Sequence, residues 1–107
     1  MNGILTKKLY TYTTKEDHSV AVVLASESHP IFMAHFEGNP ILPAFLHIDI
    51  AVEIFGLSIS GISRSKFIEP LRPNDKLLVR CDQHPKGKKV IWSKEGKIAS
   101  EVIFEVE

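Results

Sequence analysis

One continuous apolar block sits in the middle of the chain, flanked on both sides by shorter runs of β-branched residues. Leu9-Tyr10-Thr11-Tyr12-Thr13 and Val20-Ala21-Val22-Val23-Leu24 are separated by the polar run Lys15-Glu16-Asp17-His18, which reads as two strands of a hairpin. Pro30, Gly38-Asn39-Pro40 and Pro43 then punctuate residues 27–43, which are expected to be a loop. From Ala44 to Leu57 ten of fourteen residues are apolar, and they occupy every side of a helical wheel, so a helix buried nearly all round is predicted. Pro43 stands where a first-turn proline is tolerated, and Gly56 or Gly61 would end the helix. Strands return at Ile62–Ile68, Lys76–Gln83, Lys88–Lys94 and Lys97–Val106, with a proline-rich turn at residues 70–75 and a Glu95-Gly96 turn. In the second of these runs, Leu77, Val79 and Cys81 share one face. In the last, Ile98, Ser100, Val102, Phe104 and Val106 oppose Lys97, Glu101 and Glu105.

Two strands, one long apolar helix and about four further strands define an α+β class, in which an antiparallel sheet wraps a single helix. With no linker or repeat, residues 1–107 are expected to be one domain. At this length about 65% of the unfolded chain's surface is buried on folding, enough for one modest core. The 13 basic and 13 acidic residues balance, which argues against general nucleic-acid binding. The balance is uneven along the chain: residues 62–97 hold ten basic residues against four acidic ones. Cys81 is alone, so no disulfide framework is expected and a reducing cytoplasm is the simplest compartment. Residues 1–8 carry no leader-like apolar run, and the apolar stretch 41–57 is interrupted by His47, Asp49 and Glu53, so no membrane span is expected. His29, His35 and His47 lack the tight spacing of a zinc ligand pair, and no metal or cofactor is expected.

The chemistry is concentrated in residues 29–51. His35-Phe36-Glu37-Gly38-Asn39-Pro40-Ile41-Leu42-Pro43-Ala44 resembles the H-F-x-G-x-P-x-x-P-G pattern of the β-hydroxyacyl-(acyl-carrier-protein) dehydratases of fatty-acid synthesis, and Asp49 lies 14 residues after His35, where that family places its acid. Lys66-Phe67-Ile68-Glu69-Pro70-Leu71-Arg72-Pro73-Asn74-Asp75-Lys76-Leu77 is similar to the same family's K-F-x-x-P-x-x-P-G-D-x-L stretch. Together the two motifs cover about a third of the chain. The short length and the Asp49-to-Glu53 variant look more like the small thioester dehydratases of aryl-polyene and polyketide-like clusters. The resemblance implies a hot-dog fold, a homodimer with shared sites, and a cofactor-free hydro-lyase. Its substrate would be a 3-hydroxyacyl thioester on an acyl carrier protein or CoA, dehydrated to the trans-2-enoyl thioester.

That elimination needs a base, an acid and a donor to the thioester oxygen. His35 is expected as the base. Asp49, poorly solvated on an apolar helix, is expected as the acid. The Ala44 backbone N–H at the helix start would be the donor. Gly38 belongs to the same substrate-binding loop, and Phe36, Phe45 and Leu46 are candidate linings of the acyl tunnel. Two positions depart from the family pattern: Ala44 replaces a glycine, and Glu53 replaces a glutamine four residues after the acid. On a helix Asp49 and Glu53 share a face, so Glu53 is expected to help keep Asp49 protonated. His47, about 160° round the helix from Asp49, reads as a core or interface histidine, and Lys86, Lys88 and Lys89 as a solvated turn that could steer an acidic carrier protein. An acyl thioesterase, or a non-catalytic acyl-binding partner subunit, are the alternatives the same residues allow.

Overall fold

The computed structural model describes residues 6–16, 18–34 and 38–107. Strands β1 (Tyr10–Glu16) and β2 (Ser19–Leu24) form the expected hairpin, with Tyr12 opposite Val22. After β2 come a short helix α1 (Pro30–Ala34), the long helix α2 (Ala44–Phe55), and then β3 (Ile59–Phe67), β4 (Lys76–His84), β5 (Gly87–Lys94) and β6 (Lys97–Val106). All pairings are antiparallel and the six strands lie in the order β1-β2-β4-β5-β6-β3. β1 and β3 are therefore the two edges.

One face of the sheet is apolar because alternate residues of its central strands are apolar. Val20, Val22, Leu24, Leu77, Val79, Cys81, Val90, Trp92, Val102 and Phe104 are all buried on it. Leu46 and Ile50 of α2 have no exposed surface and complete this core. Burying each such side chain contributes about 1.5–3 kcal/mol, which outweighs the weak helical preference of a segment so rich in β-branched residues.

Four features differ from the sequence reading. Part of the expected loop is helical: Pro30 opens α1, and His29 caps it, its carbonyl accepting the amides of Phe32 and Met33 at 3.0 Å and its Nδ1 that of Ile31 at 3.1 Å. Buried Ile31 and Phe32 pin this turn to the core. α2 is not covered all round, because Phe45 and Asp49 form an exposed stripe one turn apart. β3 starts at Ile59, earlier than expected, and carries two register irregularities. In β6 the alternation breaks, with Ser93 opposite Ile98 but Trp92 opposite Ser100. Ala99 is thus the extra residue of a bulge; it turns inward while Ile98 is exposed, and its carbonyl accepts the amides of Ile68 and Glu69 at 2.8 and 3.0 Å.

Of the two glycines offered as helix stops, Gly56 acts: at φ 61° it takes the left-handed conformation, and its N–H bonds the Val52 carbonyl. Gly87, at φ 148°, is required for a different reason, since a Cβ there would lie 2.2 Å from the Phe104 carbonyl oxygen. Replacing Gly87 by Ala is expected to force β5 from β6 and cost about 3 kcal/mol or more, read as a fall in the midpoint of chemical denaturation.

Candidate active site at the start of the central helix

The segment leading into α2 is fastened by the second motif. The Leu42 amide donates to the Leu71 carbonyl at 2.7 Å, and both side chains are buried. The Arg72 guanidinium donates to Asn39 Oδ1, and the Arg72 amide donates to Asp75 Oδ2 at 2.7 Å. Asp75 in turn accepts Lys94 Nζ at 2.8 Å. Asn74 stands at φ 66° where the family pattern has glycine, a substitution that the left-handed conformation tolerates best in asparagine. The two motifs, remote in sequence, thus meet and aim the first turn of α2.

That first turn is uncapped by any described side chain: Pro43 occupies the N-cap with φ −57° and ψ 143° and makes no side-chain cap bond. Leu46 donates back to the Pro43 carbonyl at 3.0 Å. The Ala44 amide is one of the first-turn donors with no intrahelical acceptor, and Ala44 is exposed. Ala44 is not among the positive-φ residues, so its methyl brings no left-handed strain. Gly38, at φ 78°, is exposed at the end of the preceding loop.

A cleft of about 270 Å³ opens beside this turn, lined by Leu42, Ala44, His47, Phe67, Glu69 and Pro70 among others. His47 is the polar residue buried in its wall. Its Nδ1 lies 2.9 Å from Ser100 Oγ, and its ring meets Phe67 edge-on at 5.1 Å between centroids. Burial pushes the His47 imidazole down to about 4, partly offset by the Leu42 carbonyl, which favours the protonated ring. The reading of His47 as a core histidine therefore stands in this chain.

Asp49 lies outside that cleft, about 140° round the helix from Ala44 at 100° per residue. It is exposed on the same stripe as Phe45. Its carboxyl is raised above the usual range, first by burial of part of its surroundings and then by the charge of Glu53. Glu53 is held by two hydroxyl donors, Thr6 Oγ1 and Tyr10 OH, the latter at 2.8 Å. It thereby ties α2 to β1 as well as facing Asp49. The Tyr10 phenol is pushed up by burial and by this bond.

Among the candidate linings, Phe45 is 46% exposed, whereas Leu46 has no exposed surface and backs the site from the core. The expected base His35, with Phe36, lies outside the described residues. Ser100, Phe67, Thr6 and Tyr10 are the site-forming residues that sequence reasoning missed. Phe67 was visible within the second motif, but nothing local marked the other three.

The fold and this helix start define a chain of the hot-dog class. Residues 11–102 match the ApeI-like family, described as ApeI dehydratase, and the chain belongs to that family. A 3-hydroxyacyl-(acyl-carrier-protein) dehydratase FabZ of Chlamydia pneumoniae is 25% identical over 122 residues, covering 97% of this chain and 78% of its own. The protein of that name from Chlamydia trachomatis is 25% identical over 94 residues, covering 74% of this chain. The chain spans 61% of that relative's length. Among solved structures, the dehydratase heterocomplex ApeI:P from Xenorhabdus doucetiae aligns with a TM-score of 0.72 at 22% identity, over 90% of this chain and 93% of that one. The pyran synthase domain from module nine of the sorangicin pathway aligns at 0.69 and 20% identity, over 92% and 39% respectively. These two likenesses carry the fold.

Two measurements probe the site's supports. Unfolded His47 binds a proton at its ordinary 6.5, while the native ring does so only near 4. The unfolded state therefore holds the extra proton between those values. Stability should fall by up to about 3 kcal/mol as pH drops through that window, and urea melts of His47→Gln should lack that component. Tyr10→Phe removes a donor to a carboxylate and should cost about 1–2 kcal/mol at neutral pH, read by the same melts.

Proposed function

We propose that the chain dehydrates 3-hydroxyacyl thioesters, carried on an acyl carrier protein, to trans-2-enoyl thioesters without a cofactor. His35 takes the α-proton, and the electron pair of that C–H bond becomes the new C=C bond as the β-carbon–oxygen bond breaks. Asp49 gives its proton to the departing hydroxyl, which leaves as water. The Ala44 amide donates to the thioester oxygen while negative charge develops there. One observation carries this reading: in a member of the ApeI-like dehydratase family, one helix presents both an uncapped first amide and an exposed carboxyl held above its usual range.

Two copies of the chain complete the site in this reading, joined along β3. This edge strand is exposed along most of its length, and Ile62, Phe67 and the adjoining Ile68 are 44%, 42% and 59% exposed. An apolar, unpaired edge invites a second strand. The carrier protein supplies the acyl chain; the relatives' names include it, and the excess of basic residues in 62–97 suits an acidic partner. The single buried Cys81 suits a reducing cytoplasm.

Incubation with 3-hydroxybutyryl and crotonyl thioesters tests the reaction. Interconversion with the thioester intact is expected, whereas release of free thiol would make the protein a thioesterase, and binding without turnover an acyl-binding subunit. His35→Ala and Asp49→Asn should each lower kcat about 100-fold or more. Glu53→Gln removes the charge that raises Asp49, so the limb on which Asp49 loses its proton should move to lower pH; an unmoved limb removes Glu53 from the acid's control. Light scattering should give twice the chain mass of 12.0 kDa, and Ile62→Asp should return it to one chain with loss of activity.

A further inference from the structure

His47 stands over a single rung of the sheet. Ser100 of β6 is in register with Trp92 of β5 on one side and Phe67 of β3 on the other. The His47 ring rests on all three, with Nδ1 2.9 Å from the Ser100 hydroxyl and the Phe67 and Trp92 ring centroids 5.1 and 5.4 Å away. Both His47 and Ser100 are buried, at 3% and 0% exposure. Close-packed filling alone is better served by an aliphatic side chain, because a buried polar ring costs stability unless it is bonded. What the imidazole adds is direction. It sits in the first turn of α2, and Ala44 and Phe67 line the same cleft with it.

We propose that His47 is a positioning residue: bonded to Ser100 and packed on Phe67, it sets where the Ala44 amide and the Phe67 ring stand relative to one another across the cleft. This rests on the reading of the Ala44 amide as donor to the thioester oxygen. An oxyanion donor works only within a few tenths of an ångström of its hydrogen-bonding distance, so a small rotation of the first helical turn is felt in the transition state more than in substrate binding. Burial, which holds the ring uncharged at neutral pH, leaves it able to share one hydrogen bond with the hydroxyl without bringing a cation to the cleft wall.

The test uses the full chain with Ser100→Ala, His47→Leu and His47→Gln. Kinetics with a 3-hydroxyacyl thioester should show kcat about 10-fold lower in the Ser100→Ala and His47→Leu variants, with KM within about twofold. His47→Gln, which keeps a donor and an acceptor, should recover most of kcat even if it melts below His47→Leu. In parallel, the backbone amide signal of Ala44 in nitrogen-15-labelled protein should shift in Ser100→Ala and His47→Leu and return toward wild type in His47→Gln. An Ala44 signal unmoved in Ser100→Ala, or kcat losses that simply follow thermal stability, would overturn the proposal. The amide signal needs no turnover. A wild type without dehydratase activity would therefore sink the functional reading alone, and the positioning role would stand or fall on the Ala44 shift.

Discussion

Burial of one helix against one sheet is the constraint on which the structure depends. α2 is too apolar to lie on a surface, and the sheet offers only one face to cover it. Leu46 and Ile50 meet that face with nothing exposed, while Phe45 and Asp49, on the other side of the same helix, remain open. A carboxyl is thus carried on an apolar scaffold without being sealed inside it. Its raised proton affinity follows from that placement: partial burial disfavours the charge, and the neighbouring Glu53 adds to the effect.

The helix start shows the same economy. Proline at the N-cap offers no side-chain acceptor, and the segment before it is held to the second motif by the Leu42–Leu71 main-chain bond and the Arg72–Asn39 side-chain bond. The first turn is therefore fixed without a side-chain cap at its start. Glu53 has a double part, since its carboxylate accepts Thr6 and Tyr10 while its charge acts on Asp49. The electrostatics of Asp49 and the docking of β1 onto α2 are consequently coupled.

Most of the architecture was legible in the residues, for identifiable reasons. Leu77, Val79 and Cys81 alternate without interruption, and β4 follows them faithfully. The helix limits were marked by Pro43 and Gly56, whose backbone preferences are local. What escaped depends on partners far along the chain. The Ala99 bulge follows from the Ile68 and Glu69 amides that seek its carbonyl, and no pattern within β6 announces them. α1 escaped because proline and glycine punctuation outweighed the Ile31-Phe32 pair that holds it to the core. At the candidate site, motif spacing singles out Ala44 and Asp49, yet the burial of Leu46 and the exposure of Asp49 emerge only with three-dimensional packing.

Asp75 has a consequence for how the molecule is made. Its side chain accepts the Arg72 amide and Lys94, and its carbonyl accepts the Leu24 amide at 3.0 Å. The Arg72 bond is local, whereas the Leu24 bond joins residues far apart in the chain and requires a long loop to close before it forms. The clasp under the helix start thus combines a local turn with one contact whose loop-closure cost is high.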